Sequence, residues 1–447
     1  MKVKWGCRAV LALAMIGGAS TAIAKSAPAI ADKASPASET VEASIAEGDA
    51  TQLPAVVVTA RRREEDAARV PAALSVIDGD LIDRSYTVNT QQLSVLVPSL
   101  NYSSANPRNT AFTIRGLGSS VVAVSQANDG LESGVGFYID QVYHGRPATA
   151  AFDFADIQQI EVLRGPQGTL FGKNTTAGAI NITTRLPSFE TEAFGEISYG
   201  GYNYVQAKGW VSGPISDTIA VRLSGLLTRR DGVIDNVRLG RAQNDLGNQA
   251  VRGQLLWKAS DALSLRLSAA FTRFKSECCT QVYLRVGQSL RPAARQYPFL
   301  AANAPGGPYA PASTNPFDRV TDIDAALGVD TNEGGLSVIG DWNLGSATLT
   351  SVSAWRFWNW DADNDRDYTG LPIQLTQHIP SRQDQYSQEL RIASNGERRF
   401  SYVAGLYFYT QTITGRPISI YGPAAAYWLI GPATGASNTP VPANLLD

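Results

Sequence analysis

The sequence predicts a mainly β protein: a globular α+β domain followed by the strands of an antiparallel transmembrane β-barrel, incomplete in this chain. Three observations predict it. From residue 193 onward apolar and polar side chains alternate with period 2 over runs of about ten residues, longer than the usual strands of a soluble sandwich. Leu263, Leu265, Leu267, Ala269 and Phe271 alternate with Ser264, Arg266, Ser268, Ala270 and Thr272, and the same code places Ile219, Val221, Leu223 and Leu227, or Val251, Gly253, Leu255 and Trp257, on one face. Short connections at 213–217, 259–262, 344–346 and 395–398 alternate with long ones at 230–247, 275–331 and 359–382, the asymmetry of a barrel whose long loops are extracellular. Beyond the N-terminal leader no apolar run approaches the ~18 residues of a membrane helix, so any crossing is by strands.

Taken in order, residues 1–24 carry Lys2, Lys4 and Arg8, an apolar run from Ala9 to Ile16, and small residues ending in Ala22-Ile23-Ala24. This is the pattern of a secretory signal peptide cleaved before Lys25, and Cys7 leaves with it. The mature chain keeps Cys278 and Cys279, too few for a disulfide framework. A net charge of −2 over 447 residues offers no basic field for nucleic acid. Residues 25–52, rich in Ala, Ser, Pro and Glu, read as a disordered leader. The β-branched run Val56, Val57, Val58, Thr59 and Ala60 has two readings: an edge strand of the next domain, or a tethered segment that adds a strand to a partner's sheet. Its polar neighbours predict exposure.

Short strands are expected at 74–77, 135–142, 159–164 and 178–184, with helical turns at 80–84 and 91–97. Between the last two strands, Gly165, Pro166, Gly168 and Gly172 leave little room for a helix. The glycines do not form a phosphate loop. Only three residues separate Gly168 from Gly172, and Asn174 rather than Ser or Thr follows Lys173.

The run IEVLRGPQGTLFGKNTTAGAINITTR at 160–185 resembles, almost without gaps, the plug signature of TonB-dependent outer-membrane receptors. Three further stretches share the resemblance in the family's order: AVVVTA at 55–60 is similar to a TonB box, FTIRGLG at 112–118 to the first plug arginine motif, and VGFYIDQVYHGRP at 135–147 to a central pair of plug strands. The resemblance implies a TonB box and linker at 53–69, a plug at 70–185, and the N-terminal portion of a barrel at 193–447. It also implies that Val56, Val57, Val58, Thr59 and Ala60 bind a TonB-type energising protein. By the same resemblance Arg115 and Arg164 match plug arginines that help lock the plug to carboxylates on the barrel wall, and Glu161 lies beside Arg164 in the same plug-lock signature. Glu389, on the inner face with Ser387 and Arg391, is a candidate partner for Arg115 or Arg164. The leader is too short for the extra folded domain of receptors that also signal transcription.

Two loop features have bland readings beside sharper ones. Asp361, Asp363, Asp365 and Asp367 alternate like a calcium loop, but Arg366 and Pro372 stand where the turn glycine and closing Glu belong, so a solvated acidic loop is expected. His144 is expected in a loop and not as a ligand. Trp210, Trp257, Trp342, Trp355, Trp358, Trp360 and the aromatics of 402–409 are expected at the membrane interfaces.

The function these readings imply is TonB-dependent uptake of a scarce large solute across the bacterial outer membrane. By resemblance the solute is a ferric siderophore, with a glycan or cobalamin as the alternative. Partners are the energising protein, the siderophore-like ligand and outer-membrane lipid. No cofactor, metal site or catalytic constellation is expected: there are two His and no Gly-x-Ser-x-Gly elbow. About nine strands are counted where plugged transporters of this type use ~22, and an open half-barrel exposes unpaired edges to lipid. The expectation is therefore the N-terminal part of a longer receptor. Its alternative is a truncated remnant or a periplasmic binding module.

Overall fold

A computed structural model of the protein describes residues 56–432, apart from 60, 64, 86, 88, 107–108, 119–130, 147–155, 288, 366 and 397–399. The expected signal peptide, the leader and the segment after 432 lie outside these residues, as does Ala60.

The plug begins with a small hairpin, β1 (Val57–Val58) against β2 (Glu65–Asp66). Next come β3 (Leu74–Asp78) and α1 (Gly79–Arg84), which Asp78 caps by accepting from the Leu81 amide at 2.6 Å. A 3-10 turn at Thr90–Gln92 leads into α2 (Leu93–Leu96), followed by the pair β4 (Leu100–Asn106) and β5 (Asn109–Ile114). The expected single strand at 135–142 is instead a hairpin, β6 (Val135–Ile139) and β7 (Val142–Tyr143). Asp140 and Gln141 between them both have positive φ, 47° and 68°, the twist that a two-residue hairpin loop requires.

β8 (Ile157–Arg164) and β9 (Gly178–Thr184) bracket the glycine-rich centre, which does hold one helical turn, α3 (Gly168–Phe171). Gly172, at φ 80°, ends it. The five-stranded order is β3-β8-β9-β6-β7, with β6 parallel to β9. Ile160, Val162, Ile180 and Ile182 are fully buried at its centre, against Leu93, Leu100, Phe112 and Phe137. The plug thus has its own apolar core.

The wall starts at β10 (Glu192–Gly200), β11 (Tyr204–Pro214) and β12 (Ile219–Arg230). Two short loop strands, β13 (Ile234–Asn236) and β14 (Arg241–Gln243), precede β15 (Leu246–Lys258) and β16 (Leu263–Ser276). The longest connection carries α4 (Tyr297–Ala302) and β17 (Val320–Thr321), and then come β18 (Gly328–Asn343) and β19 (Ala347–Asn364). β20 (Gln374–His378), β21 (Ser381–Ser394), β22 (Val403–Gly415) and β23 (Ile418–Tyr421) complete it. All the wall pairings are antiparallel, and the sheet does not close among the described residues.

Period 2 divides the wall into two faces. Leu223, Val251, Leu267, Leu336 and Leu390 point outward and are exposed, while Arg222, Ser224, Gln254, Ser268 and Arg391 point inward and are buried. No helix among the described residues is long and apolar enough to cross a membrane. Trp257 and Trp342, near the short turns, and Trp355 face outward. Trp210, Trp358 and Trp360 do not: register places them opposite inward residues, and Trp358 and Trp360 are buried and stacked 5.9 Å apart. Tyr407 and Tyr409 likewise share the inner face with Glu389 and Ser387.

Candidate functional site

The plug sits against the inner face of the wall, and carboxylates of the plug meet cations of the wall. Asp156 takes a bidentate bond from Arg222, at 2.6 Å from Nε and 2.9 Å from Nη2, with both side chains buried. Arg222 also reaches Glu192 at 3.1 Å and lies 3.8 Å from the Trp210 ring centroid. Asp140 is held on the plug side by the Thr184 amide and hydroxyl, at 3.0 and 2.8 Å. Its Oδ2 accepts from Arg252 Nη1 at 2.9 Å, and Arg266 Nη1 stands 3.7 Å from Oδ1.

The neighbouring Gln141 accepts from Arg391 Nη2 at 2.6 Å, Val142 packs on Ile339 and Val352, and Lys208 bonds Asp83 at 2.9 Å. The tight Asp140-Gln141 turn therefore projects three consecutive side chains onto wall strands β15, β16, β18, β19 and β21. Burial alone would raise the Asp140 carboxyl, but Arg266, Arg252 and the Thr184 bonds bring it below its ordinary 3.8.

The arginine lock expected from the resemblance is not assembled between these residues. Arg115 is exposed, at the left-handed φ of 53°, and Arg164 donates to the Leu74 carbonyl at 3.2 Å. Glu389 binds Arg391, two residues along the same inward face and nearer than either plug arginine. Asp140 and Asp156, which carry the contact, were missed because Asp in a turn or before a strand reads as turn chemistry. His144 lies in the loop after β7, as expected, and is buried there, edge-on to Phe137 at 5.9 Å, with neither ring nitrogen bonded. Burial, then Arg356 and Arg252, hold its pKa well below the ordinary value, so the imidazole is neutral.

The expectation that the 56–60 segment is exposed holds only for Val56 and Val57; Val58 is fully buried. The Thr59 amide donates to Glu161 Oε1 at 2.7 Å, and Asn181 Nδ2 donates to Glu161 Oε2 at 3.2 Å. Glu161 is thus a buried anchor for this segment and not part of a lock to the wall. Its burial raises its pKa despite those bonds. Downstream, the Arg62 guanidinium lies 4.2 Å from the Phe171 centroid and 5.1 Å from that of Tyr138, and its Nε donates to the Leu170 carbonyl at 3.2 Å.

On the side of the long connections, plug and wall line an open cavity of about 500 Å³ along β22, bordered by Leu131, Glu132, Lys173, Tyr409, Gln411 and Ile413 among others. Lys173 bonds Glu132 at 2.6 Å and stands 4.9 Å from the Tyr409 centroid. Gly145 forms the floor: its amide donates to Gln385 Oε1 at 3.0 Å, and a Cβ there would overlap the Tyr409 hydroxyl. Gln385 Nε2 returns a bond to the Tyr143 carbonyl at 2.6 Å.

In the loops, the Cys278 and Cys279 sulfurs are joined. Asp361 and Asp363 flank His378 at 3.4 and 3.1 Å. Asp365 is fully buried and caps the Asp367 and Tyr368 amides, so the acidic run is not uniformly solvated. Among the described residues no three His, Cys, Asp or Glu side chains are grouped to hold a metal ion.

An α+β plug seated by buried ion pairs against the inner face of an antiparallel wall with an apolar outer face is the arrangement of part of a plugged transmembrane barrel. Residues 66–179 match the TonB-dependent Receptor Plug Domain family. The chain is 26% identical over 360 residues to the Pesticin receptor of Yersinia pestis, covering 79% of this chain and 47% of that protein. It is 24% identical over 247 residues to the Ferric enterobactin receptor of Pseudomonas aeruginosa, covering 49% and 32%.

Among solved structures it is similar to the ferric yersiniabactin uptake receptor of Yersinia pestis, with TM-score 0.64, 20% identity, and 78% of this chain on 50% of that one. The pyoverdine outer membrane receptor of Pseudomonas aeruginosa gives 0.62, 14%, 81% and 49%. These structural likenesses show the fold. The chain spans about half the length of the pesticin receptors it matches. Its residues 66–179 carry the plug domain of TonB-dependent receptors, and over about half of their length the chain is similar to siderophore receptors of the bacterial outer membrane.

Proposed function

We propose that the protein serves TonB-dependent uptake of a ferric siderophore across the outer membrane. The observation that carries this reading is the arrangement of the plug: a β-branched partner segment docked on one part of it, a polar cavity at its contact with the wall, and ion pairs holding it in place. Cargo enters the cavity from the side of the long connections. The segment Val56 to Ala60 adds a strand to the sheet edge of a TonB-type protein, which supplies the energy that moves the plug. The chain's own residues bind, seat and release. The names of the relatives, a ferric enterobactin receptor and a ferric yersiniabactin uptake receptor, support an iron chelate as cargo.

The test is uptake of radiolabelled ferric siderophores by cells producing the receptor, with and without residues 56–60. Loss of uptake with retained binding on deletion supports the reading. Undiminished uptake without the segment overturns the TonB-dependent mechanism. Uptake of a glycan or cobalamin with no iron chelate bound would replace the cargo.

A further inference from the structure

From the charge distribution around the cavity, we infer that the cargo is a ferric chelate of low net charge presenting amide and hydroxamate groups, and not an anionic tris-catecholate. This rests on the uptake reading above and specifies the substrate class of the same site.

Three observations carry it. First, the cavity is electrically balanced, because its one lysine, Lys173, is paired with its one carboxylate, Glu132, at 2.6 Å. The other lining groups are phenol, amide, hydroxyl and aliphatic. Second, one inward row of the wall near the long connections is uncharged across seven strands. Following the register, Gln206, Thr228, Asn248, Phe274, Thr331, Trp360 and Ser381 stand side by side, with Gln383 beside Ile413 and Gln385 beside Gln411 next to the cavity. Third, most inward cations of the described wall are already held by acidic partners: Lys208 on Asp83, Arg222 on Asp156, Arg252 and Arg266 on Asp140, and Arg391 on Glu389, while Arg230 is committed to the Asn244 carbonyl and Arg356 feels the charge of Glu333 without a direct bond.

The chemistry of the two chelate classes separates cleanly here. Three hydroxamates neutralise Fe³⁺, and their carbonyl and amide periphery matches glutamine, asparagine and threonine side chains that both donate and accept. Three catecholates leave three negative charges on the complex. Such a ligand would lose hydration beside Glu132 with no uncommitted cation among the lining residues to replace it, and partially buried charge without a partner is disfavoured.

The experiment uses the receptor in outer-membrane vesicles and measures quenching of its tryptophan fluorescence by a linear ferric trihydroxamate and by a ferric tris-catecholate. The trihydroxamate is expected to bind at least about tenfold more tightly. Ile413→Lys adds a cation to the cavity without cutting a hydrogen bond and should close that gap by about tenfold. Tighter binding of the tris-catecholate by the unaltered receptor, or an unchanged ratio in a folded Ile413→Lys variant, overturns the inference while leaving siderophore uptake standing. Binding of neither chelate by a receptor whose plug remains protease-resistant overturns the uptake reading itself.

Discussion

At the scale of single residues, Asp140 concentrates the contact between plug and wall. Asp140→Asn keeps the turn and the Thr184 hydroxyl bond but leaves Arg252 and Arg266 without their charge partner. The loss should cost about 3–5 kcal/mol, the range for breaking a buried pair by removing one side. Proteolysis of the plug against urea concentration would measure it. Because Asp140 is depressed in the folded state, its contribution is present above the ordinary value of 3.8 and is lost as pH falls through its lower folded value. Plug seating measured by the same proteolysis should therefore persist through mild acid and fail only below about pH 4, and the Asn variant should lack that acid step. Gly145→Ala tests the cavity floor: its Cβ would displace Tyr409 and the Gln385 amide, an overpacking penalty of about 1–3 kcal/mol.

At the scale of elements, the β1–β2 hairpin is parked rather than free. Glu161→Ala would strand the Thr59 amide and leave Asn181 Nδ2 with only the Thr59 hydroxyl, at about 1–3 kcal/mol, and should raise amide exchange at Val57 and Val58 while the β8–β9 core stays protected. Equal protection in the variant would show that Val58 burial alone holds the hairpin. The strands themselves were legible because alternation, turn glycines and the β8–β9 signature each reflect local chemistry. Legibility failed where local chemistry is ambiguous. In the stretch from Trp355 to Trp360 each face carries aromatic rings and one polar residue, Arg356 or Asn359, so parity does not tell which tryptophans face inward. Asp140 and Asp156 look like ordinary turn residues until the wall, distant in sequence, supplies Arg222, Arg252 and Arg266. The resemblance pointed to Arg115 and Arg164 because a motif records residue type and order, whereas the ion pairs depend on a three-dimensional register that the motif does not contain.

At the scale of the whole molecule, the wall presents unlike faces to unlike media. Leu267→Arg on the outer face should destabilise insertion by about 2–4 kcal/mol, measured by reversible unfolding in lipid bilayers, whereas Ser268→Ala one position along should leave insertion within experimental error. The same partition sorts the tryptophans. Trp257, Trp342 and Trp355 lie on the outer surface, while Trp210, Trp358 and Trp360 lie inside, with the Arg222 and Arg146 guanidinium groups over two of them. Apart from the loop residue Trp428, the intrinsic emission of these tryptophans is therefore two reporters in one spectrum. Brominated acyl chains quench the outer set and record insertion, and the residual emission from the inner set follows the plug as Arg146 leaves the Trp358 ring.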